Sequence, residues 1–125
     1  MATTLRDMMA DAHAAVPRLA PDQVAVRLGQ GAVLLDVRDP HEVAGSGKIA
    51  GAVAVSRGML EFRADPDSPS RHPALQVETT VLVYCAAGAR AALAGRTLRE
   101  LGFCEVFNAG GFRELADAGL PIEPA

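Results

Sequence analysis

One stretch of the chain, residues 81–90, constrains the fold more than any other. It opens with the apolar run Val-Leu-Val-Tyr, which is typical of a buried β-strand, and the run ends on Cys85. Small residues and a glycine come next, followed by an alanine-rich segment with helical spacing. The sequence therefore places Cys85 at the carboxyl end of a strand and at the start of a helix. Open α/β sheets bind their ligands at that edge.

A cysteine at this position has two interpretations. Free cysteine is often a small buried hydrophobic residue, a role that requires no particular neighbours. The first turn of a helix, however, carries unpaired N–H groups and a partial positive charge, which stabilise a thiolate. The ordered set of Cys85, Gly88 and Arg90 favours this second interpretation, because a core cysteine needs neither the glycine nor the arginine.

We therefore predict that Cys85 is a nucleophile and that the loop after it binds an anion through its backbone amides. Gly88 is expected to supply backbone freedom, with a positive φ or a close approach to the substrate. The predicted binding residues are Ala86, Ala87, Gly88, Ala89 and Arg90. Because the loop side chains are mostly alanines, we expect little discrimination by the loop among small ligands.

Strand and helix patterns alternate along the chain. Apolar runs predict strands at residues 32–36, 52–55, 81–85 and 105–107. Spacing and capping residues predict helices that begin near Leu5, Pro21, Pro40, Ala91 and Phe112. This alternation predicts an α/β fold with a central, mainly parallel sheet of four to five strands and helices on both faces. We expect one domain, with an N-terminal helical extension at residues 1–20 and a core at residues 21–121.

Two segments lack these patterns. Residues 56–77 contain three prolines among acidic and serine residues, so we expect a long irregular segment rather than a helix. Several of its side chains are candidates for a binding site, although a plain surface loop explains the segment equally well: Arg57, Met59, Phe62 and Arg63. Residues 108–111, Asn-Ala-Gly-Gly, predict a turn.

Composition argues against several classes of protein. The formal net charge of −3, without a basic cluster, gives no support to nucleic-acid binding. Two cysteines do not make a disulfide framework, and a reactive thiolate suits a reducing compartment. The three histidines have no ligand spacing, so we expect neither a metal nor a cofactor. No signal peptide or membrane-spanning run is found, which predicts a cytoplasmic protein that does not bind membranes.

Three further segments, in order around residues 85–90, resemble the rhodanese-like sulfurtransferases. Residues 34–42 (LLDVRDPHE) are similar to the first strand and helix entry of that family, and residues 47–52 (GKIAGA) to its Gly-His-Ile-x-Gly-Ala signature. Residues 110–121 are similar to its closing motif. Lys48 replaces the usual histidine, but it lies outside the loop, so the departure weakens the signature more than the chemistry.

The resemblance implies a rhodanese-like fold and the transfer of sulfane sulfur through a persulfide on Cys85. The donor would be thiosulfate or a similar compound, and the acceptor a thiol or cyanide. The residues are compatible with this chemistry, because the displacement needs a preformed thiolate and a stabilised anion but no neighbouring base. The sequence does not identify a protein partner.

Charged residues beside the loop are expected to support it. Arg90 either directs its guanidinium toward an anionic donor or pairs with a carboxylate such as Glu42 or Asp36 and braces the loop. Bracing is favoured, because the neighbouring amides already supply donors. Arg38 is expected to hold the first turn of the adjacent helix or to form only a structural ion pair. Asp36 is expected to orient Arg38 or Arg90, and Arg57 is the remaining supporting residue.

Two other functions are compatible with these residues. Cysteine-dependent phosphatases, some of which share the fold, have one more residue between cysteine and arginine than the four that separate Cys85 from Arg90. The shorter spacing suits a single sulfur atom better than a phosphate group. A non-catalytic binding module is the second alternative, although the cysteine and arginine argue against it. Cys104 is expected to be packed, since a resolving thiol would have to lie within disulfide reach of Cys85.

Overall fold

Four parallel strands form the central sheet of the computed structural model, which describes residues 2–125. Met1, the first residue of the predicted extension, lies outside the described residues. The strands are β1 (Val33–Asp36), β2 (Lys48–Ile49), β3 (Val53–Ala54), β4 (Val81–Cys85), β5 (Val106–Gly111) and β6 (Ile122–Glu123). The helices are α1 (Leu5–Ala15), α2 (Pro21–Gly29), α3 (Pro40–Ser46), α4 (Leu60–Ala64), α5 (Ala89–Glu100) and α6 (Phe112–Asp117). None of the helices within residues 2–125 has both the length and the apolar character that crossing a bilayer requires.

Helices cover both faces of the central sheet, whose strand order is β3-β1-β4-β5. One face carries an apolar cluster that includes Leu35 and Val83, and the other carries a cluster that includes Leu34 and Tyr84. Successive residues of one strand therefore enter different cores. Because both faces are buried, β4 consists of five buried residues in succession. The predicted α/β fold with a mainly parallel sheet is confirmed.

Helix α1 packs against α5, which in turn packs against the central sheet. It begins at a capping box in which Thr4 and Asp7 each donate a backbone N–H to the other's side chain at 3.1 Å. Beyond its C-terminal end, Val16 lies so close to Gly95 of α5 that a Cβ added there would be 2.8 Å from Val16 Cγ1. Leu5, in the first turn of α1, is exposed, whereas Ala12 is fully buried. Packing thus uses the C-terminal part of the helix.

The segment over residues 56–77 is not irregular throughout, contrary to the prediction. Its first part forms a 3₁₀ turn at Arg57–Met59 and then α4. Leu60 and Ala64 are fully buried, and their spacing of four residues places them on one face of α4. The buried face of this short helix stabilises a segment whose composition is otherwise typical of a loop.

Residues 108–111 do not form the predicted turn but the second half of β5. Gly110 has a φ of +89°, and the pairing of β5 with β4 shifts by one residue at this point, as in a β-bulge. A Cβ on Gly111 would lie 2.4 Å from the carbonyl oxygen of Ala86. The glycines therefore permit close contact between β5 and the loop that follows Cys85.

A second, two-stranded sheet, which the sequence does not predict, pairs β2 with β6 in antiparallel orientation. Lys48 Nζ lies 3.2 Å from Glu123 Oε1 across this pair. A Cβ on Gly47, whose φ is +78°, would lie 2.7 Å from the carbonyl oxygen of Glu123. The lysine that departs from the family signature therefore lies in this small sheet.

Candidate active site

Cys85 ends β4, and the chain passes through three residues before α5 begins at Ala89. Cys85 is 1% exposed, and its Sγ accepts backbone N–H groups from Gly88 at 3.0 Å and Ala91 at 3.4 Å. Gly88 has a φ of +111°, which favours glycine, and the turn it makes directs its N–H toward the sulfur. Two main-chain donors at the start of α5 are thus directed at Sγ.

The Cys85 loop, defined as residues 85–90, carries four further unpaired donors. These donors are backbone N–H groups that meet no protein acceptor within residues 2–125. They are the N–H groups of Ala86, Ala87, Ala89 and Arg90. The three alanines are exposed, so small molecules can approach the loop from solvent. Unpaired N–H groups at a helix start favour an anion. The loop can therefore stabilise a negatively charged sulfur and groups bonded to it.

Arg90 forms a bidentate ion pair with Glu42, with Nη1–Oε1 at 2.7 Å and Nη2–Oε2 at 2.9 Å. Glu42 also accepts the backbone N–H of Asp39 at 3.0 Å, so the pair joins the starts of α3 and α5. The hydrogen bonds from Arg90 are the main cause that lowers the pKa of Glu42 from 4.5 to about 2. The same hydrogen bonds raise the pKa of Arg90. Of the two carboxylates predicted as partners of Arg90, Glu42 and Asp36, the structure shows contact with Glu42.

This ion pair predicts a pH-dependent stability. Glu42→Gln is expected to lower the free energy of unfolding by about 1–2 kcal/mol at neutral pH, a figure reduced for solvent screening because Arg90 is 36% exposed. A carboxylate with a lowered pKa stabilises the fold above its unfolded pKa and loses that contribution as the pH falls toward its folded pKa. The difference between wild type and variant should therefore shrink from about pH 5 to about pH 3, measured by urea unfolding.

A control for this prediction is Glu78→Gln, because Glu78 is exposed and forms no ion pair within residues 2–125. That variant should show little difference from wild type at either pH. A deficit of Glu42→Gln that stays constant as the solution is acidified would show that charge on Glu42 does not stabilise the fold.

Arg38 lies in a buried network at the carboxyl ends of β1 and β4. It contacts Asp36 through Nε and Nη2, and Asp36 also accepts the hydroxyl of Tyr84 at 2.7 Å. Burial opposes the charge of Arg38, but the hydrogen bonds and attraction of Asp36 outweigh it, so the pKa of Arg38 is raised. Arg38 donates to Ser46 Oγ and the carbonyl of Gly47. It therefore holds the C-terminal end of α3, and the expectation that it holds the first turn was wrong.

Arg57 does not reach the Cys85 loop. Its Nη2 donates to Thr97 Oγ1 at 3.0 Å in the last turn of α5, and its Nη1 pairs with Glu61 at 3.1 Å. Arg57 therefore fixes the 3₁₀ turn against α5, and its predicted place beside the site was wrong. Arg63 likewise bonds within its own segment, to the carbonyl of Ser70.

Asn108 is a residue of the site that the sequence analysis places only in a turn. It is fully buried in β5, where its Nδ2 donates to the carbonyl of Gly88 at 3.0 Å and its Oδ1 accepts the N–H of Gly110 at 2.8 Å. The carbonyl of Gly88 belongs to the same peptide unit as the N–H of Ala89, so Asn108 also fixes that N–H. The only signal that the sequence carries for this role is one polar asparagine within an otherwise apolar segment.

The prediction that Cys104 is packed was wrong, because this cysteine is exposed. It precedes β5, whereas Cys85 ends the parallel strand β4, and the register pairs Val81 with Val106. The two cysteines therefore lie at opposite edges of the sheet, on the order of 20 Å apart at the usual rise per strand residue. Cys104 is out of disulfide reach of Cys85.

Curated relatives and a family model match most of the chain. The model, a rhodanese-like domain, matches residues 20–118. The thiosulfate sulfurtransferase GlpE of Pseudomonas entomophila is 32% identical over 111 residues, which cover 86% of this chain and 91% of the relative. GlpE of Pseudomonas putida is 33% identical over 112 residues, with the same coverage.

Solved structures share the fold. Protein RPA3614 of Rhodopseudomonas palustris, named as a protein of unknown function and possible tyrosine phosphatase, is 35% identical with a TM-score of 0.86, covering 98% of this chain and 96% of that one. The polysulfide-sulfur transferase homodimer of Wolinella succinogenes is 34% identical with a TM-score of 0.73, covering 96% and 87%. Together with the family model, which covers most of the sequence, these likenesses show that the chain belongs to the rhodanese-like family.

Proposed function

We propose that this protein is a sulfurtransferase that carries sulfane sulfur on Cys85, with thiosulfate or a similar compound as the donor. The observation that carries this proposal is the pair of backbone donors on Cys85 Sγ, in a loop whose other amides have no protein acceptor. The GlpE relatives, named thiosulfate sulfurtransferases, and the Wolinella polysulfide-sulfur transferase support the same class of reaction.

The first half-reaction transfers one sulfur atom to the enzyme. The Cys85 thiolate attacks the outer sulfur of thiosulfate, a bond forms between Sγ and that sulfur, and the S–S bond of thiosulfate breaks. The bonding electron pair leaves with sulfite, so charge and atoms balance without a proton transfer. The persulfide anion then takes the place of the thiolate among the loop amides, which stabilise its charge.

The second half-reaction returns the enzyme to its starting state. A thiophilic acceptor such as cyanide attacks the terminal sulfur of the persulfide, and the electron pair of the S–S bond returns to Sγ. The products are thiocyanate and the Cys85 thiolate. Because both half-reactions exchange one sulfur anion for another, the same amides serve in each, and Arg90 keeps the loop in place through Glu42.

A phosphatase activity is the second candidate, because the name of the Rhodopseudomonas structure includes a possible tyrosine phosphatase. Only four residues separate Cys85 from Arg90, and the sulfur is 1% exposed. A tetrahedral phosphate needs room for several oxygens around the sulfur. Arg90 is also held by Glu42 at both terminal nitrogens, so it is less available to a phosphate.

The experiment that tests the proposal compares two substrates on the wild-type protein. Thiosulfate with cyanide is expected to yield thiocyanate over repeated turnovers, while a phenyl phosphate ester releases no phosphate above background. Phosphate release without thiocyanate would replace the proposal with the phosphatase. Absence of both reactions would favour a non-catalytic binding module.

A further inference from the structure

Arg18 lies across two glycines of the site, although nothing in its local sequence marks it. A Cβ on Gly88 would be 3.2 Å from Arg18 Nη1, and one on Gly110 would be 2.6 Å from Arg18 Nη2. Gly88 is the residue whose N–H contacts Cys85 Sγ. Gly88 therefore contacts the sulfur through its N–H and faces the Arg18 guanidinium where its side chain would be, and the missing side chains of both glycines give the guanidinium room.

The position of Arg18 is fixed by the same residue that fixes the loop. The backbone N–H of Asn108 donates to Pro17 at 2.8 Å, and the carbonyl of Asn108 accepts the N–H of Leu19 at 3.0 Å. The side chain of Asn108 meanwhile holds the carbonyl of Gly88. The backbone on either side of Arg18 is therefore anchored to the strand beside the Cys85 loop, which keeps the side chain of Arg18 within reach of the loop.

The donors of Arg18 are only partly used. Its Nη2 lies 2.7 Å from Glu114 Oε1, while Nη1 and Nε donate to no protein acceptor within residues 2–125. The side chain is 48% exposed, in contrast to Arg38, which is buried and paired with Asp36. Exposed single-contact ion pairs contribute little and exchange partners readily. The Arg18 guanidinium, with N–H groups on Nη1 and Nε that have no protein acceptor within residues 2–125, therefore lies next to the loop.

We propose that Arg18 binds the anionic oxygens of the sulfur donor and selects for donors that carry an oxyanion, a role that rests on the sulfurtransferase function proposed above. The outer sulfur of thiosulfate must reach Sγ between the loop amides, so its sulfonate oxygens lie outside the loop, on the side open to solvent. There the Nη1 of Arg18 supplies a charge-assisted hydrogen bond. The same contact stabilises sulfite as it leaves.

This role adds a selectivity that the loop side chains do not provide, because most of them are alanines. It also explains why a polar, half-exposed arginine is positioned over Gly88 from a segment outside the matched domain, which begins at residue 20. Glu114 competes with the donor for the same guanidinium, since it contacts Nη2. Removing the charge of Glu114 should therefore strengthen donor binding.

The experiment measures the second-order rate constant for persulfide formation on Cys85 by quenched intact-mass analysis, with two donors. One is thiosulfate; the other is hydroxyethyl persulfide, which has no oxyanion and transfers its outer sulfur as the alkyl thiol leaves with the proton. Arg18→Gln is expected to lower the rate constant with thiosulfate about tenfold and to change that with hydroxyethyl persulfide by less than about twofold. Arg18→Lys should recover much of the loss, and Glu114→Gln should raise the thiosulfate rate about twofold.

Arg6→Gln is the matched control, because Arg6 is exposed on α1 and its removal changes the net charge equally. It should leave both rate constants unchanged. An equal loss with both donors in Arg18→Gln would show that Arg18 only holds the loop backbone, and an unchanged thiosulfate rate would show that it has no role; either result overturns the inference while the proposed function stands. A wild-type protein that takes sulfur from neither donor would overturn both.

Discussion

Replacing Cys85 with serine is expected to abolish thiocyanate formation from thiosulfate and cyanide, with a loss of at least about a thousandfold in kcat. A hydroxyl group is not ionised near neutral pH, so the variant has no anionic nucleophile. It also has no sulfur atom on which a persulfide can form. The loop amides remain, but they have no sulfur anion to stabilise, so no second route through the site is available.

The fold of the Cys85→Ser protein should be unchanged, because the serine oxygen can accept the same N–H groups from Gly88 and Ala91. Its melting temperature should lie within about 4 °C of wild type. Cys104→Ser is the matched control: this cysteine is exposed at the other edge of the sheet, and its replacement should leave turnover intact. Residual activity of Cys85→Ser above about a tenth of wild type would contradict the nucleophile role.

Gly111→Ala is expected to destabilise the fold by about 3 kcal/mol or more and to disrupt the Cys85 loop. The φ of Gly111 is −118°, which any residue adopts, so the cost arises from contact alone. An added Cβ would lie 2.4 Å from the carbonyl oxygen of Ala86 and 3.1 Å from the Cα of Ala87. Both neighbours are backbone, so relief requires that β5 and the loop move apart. Urea unfolding and thiocyanate formation measure the two effects.

Gly45→Ala is the matched control for that substitution. Gly45 lies inside α3, and nothing within 4 Å would meet its Cβ. Alanine favours a helix over glycine, so this variant should gain about 0.5–1 kcal/mol. If Gly111→Ala kept wild-type stability and activity, the close packing of β5 on the loop would not be required for either.

The Cys85 loop and the two elements that flank it could be predicted because their signals are local. The apolar run of β4, the cysteine that ends it, the positive φ of Gly88 and the helical spacing of α5 all lie within about twenty consecutive residues. The alternation of strands and helices gives the fold class for the same reason, since each element carries its own hydrophobic pattern.

The second half of β5 could not be predicted, because its local signal is that of a turn. Asparagine and paired glycines favour turns in isolation. Here Gly111 lies against Ala86, and Asn108 bonds to Gly88, contacts between segments twenty or more residues apart. Only the tertiary structure shows that these glycines are required for close packing rather than for a change of chain direction.

The partners of the charged residues could not be predicted from the local sequence either. The sequence offers Asp36 and Glu42 to Arg90, but Asp36 is fully occupied by Arg38 and the hydroxyl of Tyr84. Glu42 is therefore the carboxylate that meets Arg90, from a helix 48 residues earlier in the chain. Arg18 is a stronger example, because its proximity to the loop depends on the pairing of its backbone with Asn108.

In the proposed mechanism, one sulfur atom binds covalently to Cys85 and is held there as an anion by the loop amides. Intact-mass analysis of the wild-type protein after incubation with thiosulfate detects this intermediate. We expect one species heavier by a single sulfur atom, absent in Cys85→Ser and returned to the starting mass by cyanide. An unchanged wild-type mass under conditions that yield thiocyanate, or an added sulfur that persists in Cys85→Ser, would contradict the persulfide mechanism.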